Sequence, residues 1–202
     1  ALMRQDLTYT ARDEVELSAD KRGEGVRSVF DERGRVVARE TLFNGNVMGR
    51  TATGYDLLGR PIRIVDELGK VTCHRYDQYG RMIASTPPGL GTRKIEYTRN
   101  AAHPLTGEPT HSQRTRVTAP TGETVDTYVD AMGRTWLTGN MASGYQQIIY
   151  AGGRPTRSER IGLDGVVAAV KLYEYTDRST RIAREWDWLD PSHEAACVAN
   201  PK

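Results

Sequence analysis

Four aspartates of this sequence share one short pattern, and carboxylates at regular spacing are the first candidates for acid–base chemistry or metal binding. Each stands three residues before a glycine and four before an arginine; they are Asp31, Asp56, Asp77 and Asp130. Because each occupies the same position in its own copy of the pattern, we expect the four carboxylates to lie apart. An aspartate at such a position bonds to the backbone amides of a turn. We therefore predict a structural role for them.

The other reactive side chains show no site pattern. The four histidines lack the spacing of a zinc site, and Cys73 and Cys197 are too few for a disulfide framework or a cysteine metal site. Residues 89–94 resemble a phosphate loop only in their two glycines, because the Gly-Lys-Ser/Thr ending is missing, and we predict a hairpin turn there. We expect no enzyme activity, no cofactor and no metal.

The aspartates belong to a longer repeat, an aromatic residue followed by Asp-x-x-Gly-Arg. Its clearest copy is Tyr76–Arg81, residues 30–35 and 55–60 match it, residues 129–134 begin with valine, and Tyr150–Arg154 is one residue shorter. The copies start at 30, 55, 76, 129 and 150, so the steps are 25, 21, 53 and 21 residues. A period of this size indicates stacked supersecondary units.

Each position of the repeat has a physical purpose in a β-hairpin. The aromatic residue ends a strand and packs against the next unit. Aspartate bonds to turn amides, and glycine supplies the positive φ of a tight reversal. Arginine opens the return strand, where it reaches a carboxylate or a carbonyl of the adjoining rung. The predicted structural residues are Phe30, Asp31, Gly34, Arg35, Tyr55, Asp56, Gly59, Arg60, Tyr76, Asp77, Gly80, Arg81, Asp130, Gly133, Arg134, Tyr150 and Arg154.

Further turn signals between the copies predict an antiparallel meander. Asp66–Lys70 repeats the turn pattern midway between two copies. The step of 53 residues predicts two repeats plus an irregular insertion at 87–111, where prolines and glycines interrupt the strands. Residues 166–175 are apolar on both faces, so we expect that strand to be covered on both sides.

The pattern resembles the RHS (YD-repeat) family of bacterial RHS proteins and insecticidal toxin complex components, and more distantly the teneurins. Four copies keep Asp, Gly and Arg, and the clear repeats run over residues 28–157. The resemblance implies an all-β fold of antiparallel hairpin repeats that forms part of a spiralling β-sheet shell, in which a toxin polypeptide is held. The family has a cleavage signature, Asp-Pro-x-Gly-Leu. Asp190-Pro191 matches only its first two residues, because Ser192-His193 follow, so no cleaving role is assigned to Asp190.

Composition agrees with a thin sheet better than with a thick globule. Apolar residues make up 38% of the chain and aromatic residues 7%. A formal net charge of +2 argues against binding to nucleic acid. No apolar run approaches a membrane span, and no signal-peptide core is visible.

We therefore expect a single β-sheet region over residues 1–202 with an irregular tail at 190–202. Its predicted function is a structural segment of a secreted or cell-surface bacterial shell, with neighbouring shell segments and an enclosed toxin polypeptide as partners. One alternative is a module that binds surface glycans through exposed Tyr79, Trp136 and Tyr145. Another is an enzyme sited in the 87–111 insertion.

Overall fold

The computed structural model describes residues 5–176 and 182–189. These residues form sixteen β-strands and no helix, which confirms the predicted all-β class. Each strand is hydrogen-bonded to the strands that precede and follow it in the sequence. The strands are β1 (Gln5–Tyr9), β2 (Val15–Asp20), β3 (Gly25–Phe30), β4 (Val36–Phe43), β5 (Asn46–Tyr55), β6 (Pro61–Val65), β7 (Val71–Tyr76), β8 (Met82–Thr86), β9 (Arg93–Thr98), β10 (Gln113–Thr118), β11 (Thr124–Val129), β12 (Thr135–Asn140), β13 (Gly144–Ala151), β14 (Arg154–Ile161), β15 (Val167–Tyr175) and β16 (Ile182–Leu189).

The chain divides into two compact units, residues 1–94 and 95–202, with the boundary inside β9. In both units the strand pairs run antiparallel, as in β5 with β6 and β11 with β12. Every copy of the repeat joins an odd-numbered strand to the following even-numbered one. In an antiparallel sheet, successive connections alternate between the two ends of the strands. The copies of the repeat within a unit therefore lie at the same end of their strands. The tail predicted at 190–202 lies outside the described residues.

The irregular insertion is shorter than the predicted 87–111. Residues 87–92 form a tight turn, in which the Leu90 N–H donates to the Pro87 carbonyl at 3.3 Å, and Arg93–Thr98 form β9. Strand structure resumes at Arg93 because residues 93–98 contain neither proline nor glycine. The irregular connection is residues 99–112, which joins β9 to β10 where a copy of the repeat would otherwise stand.

Residues 99–112 cover one face of the second unit and build its core. Ala101 from this connection packs with Tyr128, Leu137 and Tyr145 of the sheet, each at most 4% exposed. Leu105 and Trp136 are partly buried against the same cluster. Among the described residues of the first unit, the buried apolar side chains are Ala19, Ala38, Leu42 and Ala84. The thin sheet expected from the composition is thus present, with one local core.

Strand β15 is not covered on both sides, so that prediction is wrong. Val170 is fully buried, but Val166 is 60% exposed because it lies in the turn before the strand begins. Ala168 is exposed as well. The apolar run predicted two buried faces, but Val170 is the only buried residue of β15, and its other residues are partly or fully exposed.

Candidate functional site

The Asp-x-x-Gly-Arg segment, here called the motif turn, closes a hairpin through its own backbone. In residues 56–60 the Asp56 N–H donates to the Arg60 carbonyl at 2.9 Å, and the Gly59 N–H donates to the Asp56 carbonyl at 3.0 Å. Gly59 has φ of 83°, the left-handed conformation that ends this type of turn and that side chains with a Cβ disfavour. The predicted placement of glycine in the turn is therefore confirmed.

The Asp56 carboxylate bonds to its own turn through both of its oxygens. Its Oδ1 accepts the backbone N–H groups of Leu58 and Arg60, both at 2.9 Å, and its Oδ2 accepts Arg60 Nε at 2.6 Å. The backbone hydrogen bond from Arg60, assisted by the guanidinium, lowers the pKa of Asp56 although burial opposes the shift. These bonds give the carboxylate a structural role in the turn.

The other three motif turns repeat this geometry. Arginine Nε lies 2.7, 2.8 and 2.8 Å from aspartate Oδ2 in the turns that begin at Asp31, Asp77 and Asp130. The glycines have φ of 76°, 83° and 79°. The side-chain hydrogen bond from Arg35 is the largest cause that lowers the pKa of Asp31 to about 2. Burial raises the pKa of Asp77, but the hydrogen bonds from Arg81 outweigh it and the net shift is downward.

Successive motif turns are joined to each other by a contact that we call the turn clasp. The guanidinium of Arg35 lies over the Tyr55 ring, with Cζ 4.7 Å from the ring centroid. The Tyr55 hydroxyl donates to the Val36 carbonyl at 2.9 Å. Arg35 Nη1 also donates to the carbonyl of Asp56 at 3.2 Å. One turn is thus bound to the next through a ring, a guanidinium and two backbone carbonyls.

The next clasp of the first unit has the same three parts. Arg60 Cζ lies 4.9 Å from the Tyr76 ring centroid, and the Tyr76 hydroxyl donates to the Pro61 carbonyl at 3.0 Å. Arg60 Nη1 donates to the Asp77 carbonyl at 3.0 Å. The arginine reaches a carbonyl of the adjoining turn, as the sequence predicts, and it also reaches the carboxylate of its own turn, which the sequence analysis did not predict. The aromatic residue, however, reaches back to the preceding hairpin.

Two clasps form in the second unit. Arg134 Cζ lies 4.6 Å from the Tyr150 ring, whose hydroxyl donates to the Thr135 carbonyl at 2.8 Å. Arg154 Cζ lies 5.5 Å from the ring of Tyr175, whose hydroxyl donates to the Pro155 carbonyl at 2.7 Å. Sequence reasoning missed Tyr175. It follows Tyr150 by 25 residues, the same step that separates the copies at 30 and 55, and that spacing would have found it.

A β-bulge accompanies each of these turns. Tyr55 pairs with Pro61 and Gly54 with Arg63, so Ile62 has no partner in the ladder. The skipped residue lies two positions after the motif arginine in every copy, and these residues are Val37, Ile62, Ile83, Trp136 and Thr156. A bulge increases the right-handed twist of its hairpin. Four of the five bulged residues are β-branched and the fifth is a tryptophan, and all five have the same spacing from the arginine.

The structure keeps the motif aspartates in separate turns. Within residues 5–176 and 182–189, no group of three or more His, Cys, Asp or Glu side chains is arranged to hold a metal ion. The same residues contain no helix with the length and apolar character needed to cross a bilayer.

The three aromatic residues of the glycan-binding alternative do not form an exposed surface. Tyr145 is 4% exposed and belongs to the core of the second unit. Trp136 is partly buried, and its Nε1 donates to Ser112 Oγ at 2.7 Å. Tyr79 is 68% exposed and lies under the Arg81 guanidinium. The glycan-binding alternative requires Tyr145 at the surface, but this residue packs in a core that includes Ala101 of residues 99–112.

His103, one of the two histidines of the insertion, bonds to its own loop and contacts the core. His103 Nδ1 accepts the backbone N–H groups of Leu105 and Thr106, both at 3.3 Å, and its ring lies 5.7 Å from that of Trp136. Burial lowers the pKa of His103. These contacts shape the connection and attach it to the core.

The fold and the turn clasp define a β-sheet protein built from hairpin repeats that bind one another turn to turn. Residues 55–92 match the family model described as RHS Repeat, so the chain carries an RHS repeat, as the sequence pattern predicts. The matched segment contains the motif turns of Asp56 and Asp77 and the clasp between them. No curated protein matches the chain.

Solved structures of toxin complexes resemble the chain at low similarity. The Tc holotoxin pore of Photorhabdus luminescens, with a TccC3 mutation, gives 15% identity over 94% of this chain and a TM-score of 0.41. The TcdB2–TccC3–Cdc42 structure gives 16% identity over 90% and a TM-score of 0.42, and TcdB2–TccC3 gives 17% over 88% and 0.41. This chain spans 12% of each of those chains.

Proposed function

We propose that this chain is a structural segment of an RHS-type shell that encloses or presents a secreted toxin polypeptide. The observation that carries the proposal is the turn clasp, which recurs along the chain and has one copy, Arg60 with Tyr76, inside the segment that matches the RHS Repeat family. Within each unit, clasps join neighbouring hairpins without using a reactive group for chemistry. Such a repeat is suited to extending a wall.

The sheet itself supports a structural role. Few apolar side chains of the described residues are fully buried, and many large apolar ones remain exposed, including Met48 at 69% and Val125 at 46%. A sheet with so little covering presents surface to other polypeptides. We propose neighbouring shell segments and an enclosed toxin as the partners, in a secreted or cell-surface bacterial assembly.

The proposal assigns no catalytic activity to this chain. The motif aspartates bond within their turns, and His103 is bonded to the backbone of its own loop. Nucleic acid is not proposed as a partner, since the formal net charge is only +2. No contact of Tyr79, Trp136 or Tyr145 favours glycan binding.

Protease protection of the enclosed polypeptide tests the proposal. The parent protein is purified with its toxin polypeptide, and the rate of toxin digestion is measured for the wild type and for the variant that combines Arg60→Ala with Tyr76→Ala. Because this variant removes one clasp, we expect faster digestion. The matched control is Leu57→Ser, in the same turn, whose side chain is 85% exposed and makes no clasp.

The result that contradicts a shell is equal protection in the clasp variant and the wild type, with the variant shown to be folded by circular dichroism. A toxin that is digested at the same rate when the parent protein is absent would exclude enclosure directly. A parent protein that hydrolyses or transfers a substrate through residues 99–112 would favour the enzyme alternative instead.

A further inference from the structure

The first turn of the chain has the backbone of a motif turn but different side chains. In residues 10–14 the Thr10 N–H donates to the Glu14 carbonyl at 2.8 Å, and the Asp13 N–H donates to the Thr10 carbonyl at 3.1 Å. Asp13 has φ of 63° and so takes the place of the motif glycine. Thr10 stands where the motif has aspartate, and Glu14 stands where it has arginine.

The glutamate occupies the place that an arginine takes in the later repeats. Arg35 Nη1 lies 3.8 Å from the position of a Cβ built on Gly59, and Arg60 Nη1 lies 3.9 Å from that of Gly80. Glu14 Oε1 lies 2.5 Å from the corresponding position on Gly34. A carboxylate therefore lies above the next turn at the point where the later repeats have a guanidinium.

An open cleft of about 540 Å³ remains between this turn and the next. The ring of Phe30, the counterpart of Tyr55, forms part of its wall together with Glu14, Glu16 and Glu32. In the later repeats the corresponding ring carries a guanidinium at 4.6 to 5.5 Å. The first repeat thus has the aromatic residue and the cleft, but Glu14, which stands at the position of the motif arginine, is negatively charged.

We propose that this cleft binds an arginine side chain of another polypeptide. The guanidinium would lie over the Phe30 ring, pair with the Glu14 carboxylate and donate to the Asp31 carbonyl. The Asp56 carbonyl shows that the last contact is compatible with the turn, because it accepts both the Gly59 N–H and Arg35 Nη1. The Asp31 carbonyl already accepts the Gly34 N–H at 3.0 Å in the same way.

Arg12 also lines the cleft, but its charge does not exclude a second cation. Arg12 Nη1 donates to the Glu32 carbonyl, and the equivalent residue of the next turn, Arg33, donates to the Leu57 carbonyl at 2.9 Å. In that next turn Arg33 and Arg35 are accommodated together. Two guanidinium groups therefore fit side by side at this end of the strands.

Arginine is favoured over lysine by the shape of the contact. A planar guanidinium stacks on a ring face while it bonds to a carboxylate and a carbonyl in its own plane, whereas an ammonium acts as a compact point charge. In each of the four clasps described, the cation over the ring is an arginine. Arg35 and Arg60 show the full combination, because each also bonds to a carboxylate and to a carbonyl of the next turn.

Titration of the ¹⁵N-labelled full chain with Nα-acetyl-arginine N-methylamide tests the proposal by NMR. We expect saturable shifts of the amide signals of residues 10–16 and 28–32, and we expect the uncharged citrulline counterpart to bind about fivefold more weakly, since an exposed pair plus a stacked ring contributes on the order of 1 kcal/mol. The lysine analogue should bind more weakly than the arginine analogue.

Two variants locate the binding at Glu14. Glu14→Arg supplies the motif residue from the chain itself and should abolish the shifts. Glu24→Gln is the matched control, because Glu24 ends the turn of residues 20–24, which lies at the opposite end of the strands. This variant should leave binding unchanged. Equal binding of the arginine and citrulline compounds, undiminished binding to folded Glu14→Arg, or no saturable shift near residues 10–16 would each overturn the proposal.

Discussion

The hydroxyl of Tyr76 donates a hydrogen bond to the backbone carbonyl of Pro61 at 3.0 Å. Pro61 opens the return strand of the preceding hairpin, so the aromatic residue at the start of one motif copy closes the copy before it. The Arg60 guanidinium covers the same ring. The repeat is therefore a unit of contact between two hairpins, which explains why aromatic residue and arginine recur together.

Replacing Tyr76 by phenylalanine should destabilise the protein by about 0.5–1.5 kcal/mol, because it removes one hydrogen bond and keeps the ring under Arg60. Urea unfolding followed by circular dichroism measures the change. Tyr79→Phe is the matched control, since Tyr79 is 68% exposed, and it should change stability by less than about 0.5 kcal/mol. Equal effects of the two substitutions would show that the Tyr76 hydroxyl contributes nothing.

Replacing Gly80 by valine should cost more than about 1 kcal/mol, because a β-branched residue is strained at the φ of 83° found there. Lack of space is not the cause, since the atom nearest to an added Cβ is Arg60 Nη1 at 3.9 Å. Gly80→Asn is the control, because asparagine tolerates this conformation, as Asn44 and Asn100 do with φ of 49°. A melting temperature of Gly80→Val equal to that of the wild type would contradict the turn geometry.

Local turn chemistry was the part of the fold that the sequence predicts well. Aspartate, glycine and arginine at fixed spacing act within five residues, so their geometry at Asp56 follows from side-chain chemistry alone. The hydrogen bond from the Tyr55 hydroxyl back to Val36 depends on the pairing of three strands. The sequence pattern of a single copy therefore does not predict it. The sequence does not predict the bulge at Ile62 for the same reason.

Burial was harder to predict than turns. Tyr145 and Tyr79 are both tyrosines near glycine-containing turns, yet one is buried and the other exposed. The difference at Tyr145 comes from residues 99–112, which fold over it from a distant part of the sequence. Composition and alternation describe a strand's own residues, whereas burial also depends on the segment that packs upon it.

Acid should weaken the motif turns. The pKa of Asp31 is lowered to about 2 from an ordinary value of 3.8, so its ionised form is favoured by folding. The resulting stabilisation is present above pH 3.8 and is lost as the pH falls towards 2. We expect the free energy of unfolding to decrease over this range and to do so less steeply in Asp31→Asn. An identical slope in the variant and the wild type would contradict the role of the Arg35 pair.

The buried ion pair between Asp126 and Arg116 supports the second unit. Arg116 Nε and Nη2 each lie 2.7 Å from a different Asp126 oxygen, and the aspartate side chain is 2% exposed. The hydrogen bond to Asp126 raises the pKa of Arg116 well above its usual range. The two residues face each other on β10 and β11, so the pair also fixes the register of these strands.

Asp126→Asn should destabilise the protein by about 2–4 kcal/mol, because the amide cannot accept both N–H groups and the partly buried guanidinium loses its counter-charge. The matched control is Glu174→Gln in the same unit, whose pair with Arg184 is 3.8 Å long with side chains 53% and 43% exposed. The control should cost less than about 0.5 kcal/mol. Urea unfolding of both variants measures the difference. Comparable stability of the two would mean that the strand pairing around Asp126, rather than its charge, holds β10 and β11 together.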